Sequence, residues 1–146
     1  IGDGPVRKQL QTLAKRLRIQ DRVIFAGSMP HDTLVSSGII GIGDLFVTGS
    51  RMENQPMAVL EAMSYGLPVV AVREAGMLDL VRKNGLLVSP GDHKAMGAAI
   101  ESILKSPALA RTMRKASEAM ADEYSIERVT EKLLAIYAKL PRKKNR

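Results

Sequence analysis

Two glutamates in the middle of the chain stand where carboxylates could do chemistry. Glu53 follows the apolar run 45–47, and Glu61 lies inside the segment 56–65, which is apolar at nearly every other position, as a helix buried nearly all round should be. A buried carboxylate costs several kcal/mol unless it is paired or hydrogen-bonded. The sequence therefore predicts that Glu61 has a specific partner, which is either a ligand or another side chain.

The segment 56–65 has the features of a helix that begins at a ligand crevice. Pro56 stands at its start and Gly66 at its end, as is common at helix termini. The free N–H groups and the dipole of a helix start favour an anion. A carboxylate accepts two hydrogen bonds, so Glu61 suits the vicinal hydroxyls of a ribose, as acids do in nucleotide-binding folds.

Both glutamates also fit a purely structural role. Glu53 would then be an acidic residue near the start of a helix, where the helix dipole stabilises its charge. Glu61 fits one member of a structural ion pair, for which the sequence offers three partners: Arg51, Arg73 and Arg82.

The elements that must position these residues alternate along the chain. Apolar runs predict buried parallel strands at 23–26, 45–47, 68–72 and 86–88, and helix patterns predict helices at 6–18, 31–39, 56–65 and 77–83. This alternation predicts an α/β fold with a Rossmann-like, doubly wound parallel sheet and helices on both faces. Ligands of such sheets bind outside the carboxyl ends of the strands, here the loops after Phe25, Val47 and Val72. Beyond residue 92 the pattern predicts a helical tail with segments at 92–105, 107–122 and 126–139.

Composition favours one globular domain over residues 1–140. The chain has 146 residues, of which 45% are hydrophobic, and it has no Cys, so it has no thiolate metal site. The spacing of His31 and His93 in the sequence does not match that of metal ligands. We therefore expect no metal and no resident cofactor. A reducing, cytoplasmic setting is the default for a chain without Cys or a stretch of roughly 20 apolar residues.

The charge of the chain is concentrated at its end. The formal net charge is +7, and the last five residues contain four of the basic side chains, Arg142, Lys143, Lys144 and Arg146. We expect residues 141–146 to form a basic, disordered tail. It suits either solubility or peripheral contact with an anionic surface, such as the inner face of a membrane. Aromatic residues make up only 3% of the chain, which argues against a nucleic-acid partner.

Several motifs together resemble the family 4 glycosyltransferases. Glu53 and Glu61 have the E-x7-E spacing of that family, and residues 61–70, EAMSYGLPVV, resemble the segment that follows it. Other landmarks occur in the same order as in the family: IGDGP at 1–5, VIFAG at 23–27, DLFV at 44–47, Ser50, and GLLVSPGD at 85–92.

The resemblance implies the C-terminal domain of a retaining, hexosyltransferase-type enzyme with a GT-B fold. Such a domain binds a nucleoside diphosphate sugar, for example a UDP-sugar or a GDP-sugar, usually without a metal. By analogy, Glu61 binds the ribose and Glu53 is the catalytic glutamate that faces the donor sugar. The other implied donor contacts are Asn54, Gln55, Met57, Ala58 and Leu60 near the helix start, with Gly27 and Ser28 near the base.

The resemblance also implies a partner that this sequence does not contain. The N-terminal acceptor domain and the first strand-helix unit, with the cations that neutralise the diphosphate, are expected upstream of Ile1. We therefore expect this chain to be inactive by itself, and its acceptor to be a glycan or a lipid.

Two alternative functions stay open at this point. A sugar-nucleotide epimerase of similar fold binds the same class of ligand. The other alternative is a non-catalytic nucleotide-binding module, because the family often has a glycine at position 56. Pro56 lacks the N–H group that a glycine would offer to the ligand.

Overall fold

The computed structural model describes residues 1–51 and 56–140. The chain divides into two compact units, Ile1–Ile39 and Ile40–Arg146. The basic tail predicted over 141–146 lies outside the described residues. Within those residues, every helix is too short or too polar to cross a membrane.

The first unit contains two helices. Helix α1 spans Arg7–Arg16, close to the predicted 6–18, and its basic last turn complements the dipole. A short 3₁₀ turn follows at Gln20–Arg22. Helix α2 spans His31–Ser36 and is shorter than predicted, because Gly38 adopts a left-handed φ of 64° and ends the helical path.

The strand predicted at 23–26 is wrong. These residues have no regular secondary structure, and the nearest pairing is an isolated antiparallel bridge between Gly2 and Gly27. The carbonyl of Phe25 accepts from the guanidinium of Arg7 at 3.0 Å instead of from a neighbouring strand. Ile24 is 89% exposed. An apolar run becomes a buried strand only where another strand pairs with it, and this run has no such partner within the described residues.

The second unit contains a parallel sheet of three strands in the order β1-β2-β3. They are β1 Phe46–Thr48, β2 Val69–Val72 and β3 Gly85–Val88, each within one or two residues of its prediction. Phe46 pairs with Val69, and Val69 pairs with Gly85. All four residues of the central strand β2 are buried, as a strand covered on both faces should be.

Helices cover both faces of this sheet, as predicted. Helices α3, Met57–Ser64, and α4, Ala75–Leu80, connect consecutive parallel strands. One core joins α3, α4 and β2 and includes Val59, Met63, Val69, Ala71, Met77 and Leu80. A second core on the opposite face joins β2 to the later helices and includes Val70, Ala99, Ile103 and Met113. Alternate residues of β2 therefore serve the two cores.

The helical tail is confirmed, and side-chain caps set where its helices begin. Its helices are α5 His93–Leu104, α6 Pro107–Glu123 and α7 Ile126–Ala138. The side chains of Asp92, Ser106 and Ser125 accept from N–H groups three residues later, at 2.8, 3.3 and 3.3 Å. These are N-cap bonds, which satisfy donors that a helix start leaves free.

Helix α4 lies earlier than the predicted 77–83. Asn84 explains its end, because the buried amide donates to the carbonyl of Leu80 at 3.0 Å and accepts from the N–H of Arg82 at 2.8 Å. The Leu80 carbonyl and the Arg82 N–H would form backbone hydrogen bonds if the helix were longer, and here the Asn84 side chain satisfies them instead.

A buried hydroxyl ties α6 to the turn before β2. Ser117 is fully buried, and its hydroxyl donates to the carbonyl of Leu67 at 2.6 Å. We expect Ser117→Ala to lower the free energy of unfolding by about 1–3 kcal/mol, because the carbonyl loses its donor in a dry site. Urea unfolding measures this change.

Ser102→Ala is the matched control. The Ser102 hydroxyl donates to Ala99 of the same helix at 2.8 Å and faces solvent. Its loss should change stability by no more than about 0.5 kcal/mol. Equal small effects of the two substitutions would contradict the anchoring role of Ser117.

Candidate functional site

The carboxyl ends of the three parallel strands place three loops at one edge of the sheet. The loop after β1 contains Ser50, whose N–H donates to the Thr48 hydroxyl at 3.2 Å. Arg73 continues β2, because its N–H donates to the carbonyl of Val88 at 2.8 Å. Ligands of open parallel sheets bind at this edge.

Helix α3 begins at this edge of the sheet. Pro56 is buried and precedes the helix, so α3 begins at Met57, one residue later than predicted. The N–H groups of Val59 and Leu60 donate to the Pro56 carbonyl at 3.0 and 3.3 Å. Within the described residues, the N–H groups of Met57 and Ala58 meet no acceptor. The helix therefore presents the positive end of its dipole, together with two donors that are unsatisfied within the described residues.

Glu61 lies on the outer face of α3, one turn after these donors. The expectation of a helix buried nearly all round is wrong, because Met57 is 61% exposed and Ala58 is also exposed. Glu61 is half-buried, while its neighbour Ala62 is fully buried. Residues three and four apart share a helix face, so Met57, Ala58 and Glu61 form one surface.

That surface combines apolar side chains with a carboxylate, as a ligand-binding surface does. Glu61 also takes part in an interaction within the chain, so a structural role stays open beside ligand binding. Leu60 is only half-buried and packs against the core.

Arg51 and Glu74 form an ion pair at the same edge of the sheet. The guanidinium Nε of Arg51 lies 3.7 Å from the carboxylate of Glu74, and the two side chains are 68% and 30% exposed. Arg51 is among the predicted partners of Glu61, whereas Glu74 is not among the predicted site residues. A signal for Glu74 exists in the sequence, because it comes soon after a buried strand, at the carboxyl end of that strand.

Glu53, Asn54 and Gln55 lie outside the described residues. Gly27 and Ser28 belong to the first compact unit, whereas α3 belongs to the second. Gly27 has a φ of 76° and its carbonyl accepts from the N–H of Gly2 at 2.6 Å.

Asp3 forms hydrogen bonds within the N-terminal loop, whose Gly2 contacts Gly27. The Asp3 carboxylate accepts from the N–H of Gly4 at 2.8 Å and from the Arg7 guanidinium at 2.7 Å. The Gly4 N–H and the charge and hydrogen bond of Arg7 lower the pKa of Asp3 below 3.8, against an opposing effect of desolvation.

The lowered pKa of Asp3 determines the direction in which folding stability changes with pH. A carboxylate whose pKa is lower in the folded state stabilises the fold above its unfolded pKa, about 3.9. We therefore expect the Asp3 contribution to be present above that pH and to disappear as the pH falls through the lowered value. NMR titration of the Asp3 carboxyl carbon measures this pKa. A midpoint at or above 3.8 would contradict the contacts with Gly4 and Arg7.

Comparison with known proteins adds independent support for the family. The family model for glycosyl transferases group 1 matches residues 1–120. Alpha-D-kanosaminyltransferase of Streptomyces kanamyceticus is 32% identical over 142 residues, which cover 95% of this chain and 36% of that relative.

Two solved structures are similar over most of the chain. Sucrose-phosphate synthase from Thermosynechococcus elongatus has a TM-score of 0.79 at 28% identity, over 94% of this chain and 36% of that protein. The Anabaena protein HepE, solved in complex with UDP, has a TM-score of 0.80 at 25% identity, over 91% of this chain and 36% of that protein. The chain thus spans about a third of the length of these relatives. Its matched sequence and its parallel α/β sheet with a helical tail show that the chain belongs to the group 1 glycosyltransferases and has the GT-B type of fold.

Proposed function

We propose that this chain is the donor-binding domain of a retaining glycosyltransferase, which moves a sugar from a nucleoside diphosphate sugar to an acceptor. The observation that carries the proposal is the start of α3. The N–H groups of Met57 and Ala58, which meet no acceptor among the described residues, lie at the carboxyl edge of the sheet, and Glu61 follows one turn later on the same face. Membership of the group 1 family and the UDP complex of the similar Anabaena protein support the same class of ligand.

Each part of this surface suits one part of the donor. The free N–H groups and the helix dipole favour the negative charge of the diphosphate. The Glu61 carboxylate accepts from two neighbouring hydroxyls of the ribose. The exposed side chain of Met57 offers apolar surface next to them.

In the proposed reaction, the bond between the sugar and the diphosphate breaks while the acceptor hydroxyl attacks from the same face and gives its proton to an oxygen of the departing diphosphate. The sugar becomes positively charged and the departing diphosphate gains negative charge. Fixed dipoles and charges at the site stabilise both changes. Glu53, two residues after Arg51, faces the sugar in this proposal, and no metal takes part.

The full-length protein is needed for the complete reaction. Because the matched region is 36% of each compared relative, we assign the acceptor site and the cations for the diphosphate to the other part of the protein. This chain alone should bind nucleoside diphosphates weakly and transfer no sugar.

The test is a transfer assay of the full-length protein with a panel of UDP- and GDP-sugars, in magnesium and in EDTA. We expect one donor to be consumed equally in both, and the product to keep the anomeric configuration of the donor, which NMR determines. An inverted product would contradict the retaining mechanism. Binding without a product would favour a non-catalytic module, and conversion of the donor to its epimer would favour an epimerase.

A further inference from the structure

Met57 is the most exposed methionine within the described part of the chain. The sequence contains eight Met and no Cys, so all of its sulfur is thioether sulfur. Met57 is 61% exposed, whereas Met63 and Met77 are fully buried and Met113 is buried as well. The half-buried methionines are Met29, Met96 and Met120. An oxidant dissolved in water therefore reaches Met57 more easily than the other described methionines.

Met57 is also the first residue of α3, at the start of the surface that we assign to the nucleotide. The N–H groups of Met57 and Ala58 meet no acceptor among the described residues. Glu61 lies one turn later, on the same face of the helix. A chemical change of the Met57 side chain therefore acts next to both polar parts of this surface, the N–H groups and the carboxylate.

We propose that Met57 is an oxidation site through which peroxide lowers the affinity of this surface for nucleoside diphosphates. The inference rests on the proposed function, since it concerns the regulation of the same site. The exposure of Met57 gives the oxidant access, and the place of Met57 at the start of α3 puts the oxidised group beside the ligand.

The reaction is a two-electron oxidation of the thioether by hydrogen peroxide. The sulfur gives an electron pair to one peroxide oxygen, so that an S–O bond forms while the O–O bond breaks. The proton of the transferred oxygen passes to the departing hydroxide, which leaves as water. The product is methionine sulfoxide, which methionine sulfoxide reductases convert back to the thioether.

The sulfoxide opposes nucleotide binding in two ways. Oxidation converts a flexible, apolar side chain into a polar one, so the apolar surface beside the proposed ribose site is lost. The sulfoxide oxygen also carries partial negative charge and accepts hydrogen bonds. It therefore competes with the diphosphate for the N–H groups of Met57 and Ala58 and for the positive end of the helix dipole.

The experiment measures nucleotide affinity before and after treatment of the full-length enzyme with hydrogen peroxide. UDP and GDP are titrated calorimetrically, and peptide mass spectrometry assigns the added oxygen to individual methionines. We expect Met57 to be oxidised well before Met63, Met77 and Met113, and saturating nucleotide to slow its oxidation. The Kd should rise by roughly three- to tenfold, which corresponds to the loss of about one hydrogen bond. Methionine sulfoxide reductase should restore it.

Met57→Leu and Met96→Leu form a matched pair of variants. Leucine keeps the apolar character of methionine but cannot form a sulfoxide. Peroxide should therefore leave the Kd of Met57→Leu at its own starting value, whatever that value is. Met96→Leu should keep the full response of the unmodified enzyme, because Met96 packs against the second core, on the opposite face of the sheet from α3.

Oxidation of Met57 with an unchanged Kd would overturn the inference, and so would an equal rise of the Kd in Met57→Leu. Melting curves before and after peroxide separate a local effect from unfolding. A large fall of the melting temperature, with oxidation of the buried methionines, would attribute the lost affinity to unfolding and would also overturn the inference. An enzyme that binds neither UDP nor GDP before treatment would contradict the proposed function itself, and this inference with it.

Discussion

Glu61→Gln in the full-length enzyme should weaken the binding of both the donor and the free nucleoside diphosphate. The ribose is present in both ligands, and a hydrogen bond to a charged acceptor is worth about 1–3 kcal/mol. The expected loss of affinity is therefore roughly fivefold to 150-fold. Calorimetric titration with the nucleoside diphosphate measures it directly.

A purely structural role of Glu61 gives a different result for the same variant. If Glu61 only pairs with an arginine, its substitution lowers thermal stability by the cost of a broken, partly buried pair. Nucleotide affinity per folded molecule then stays unchanged. The melting curve of Glu61→Gln, measured beside Glu101→Gln as an exposed control, separates the ribose role from the ion-pair role. Glu101→Gln suits this purpose because it breaks the exposed ion pair of Glu101 with Lys105 in α5.

Glu53→Gln should leave nucleoside diphosphate affinity nearly intact and lower turnover strongly. The proposed partner of Glu53 is the sugar, whose positive charge grows toward the transition state, so the carboxylate acts mainly on the reaction rate. The removal of one such electrostatic group typically lowers kcat by roughly 10²–10³. Steady-state transfer kinetics, together with calorimetric titration of the same variant, measure both quantities.

A neutral substitution beside Glu53 serves as its control. Met52→Ala changes the residue directly before Glu53 without removing a charge, so its kcat should stay much closer to that of the unmodified enzyme. Equal losses of kcat in the two variants would show that disturbance of the loop, and not the Glu53 charge, is responsible.

The sheet could be predicted from the sequence because its strands are continuous apolar runs with clear ends. Val69–Val72 is the clearest case, since Pro68 precedes it and all four residues are buried. The end of α3 could also be predicted, because Gly66 follows the apolar segment and glycine readily adopts a positive φ. The φ of Gly66 is 69° in the structure.

Three of the failures share one cause, which is that a sequence does not show which neighbours an element will have. The run 23–26 has the composition of a strand but lacks a pairing strand in the described structure. The end of α4 depends on the side-chain hydrogen bonds of Asn84, and no hydrophobic period reveals them. The apolar composition of α3 also predicted burial nearly all round, whereas Met57 is exposed and Glu61 is only half-buried.

The site was partly predictable for the same reason. The spacing of Glu53 and Glu61 and the start of a helix after a strand could be recognised in the sequence. The partnership of Arg51 with Glu74 could not, because it joins two loops that only the parallel register of β1 and β2 brings together.

A crystal structure of the full-length enzyme with a nucleoside diphosphate sugar is the decisive test of donor binding at α3. We expect the Glu61 carboxylate to accept from the ribose hydroxyls at about 2.5–3.0 Å, with the diphosphate at the N–H groups of Met57 and Ala58. A nucleotide bound away from the start of α3, with Glu61 paired to an arginine side chain, would contradict the proposed function of this surface.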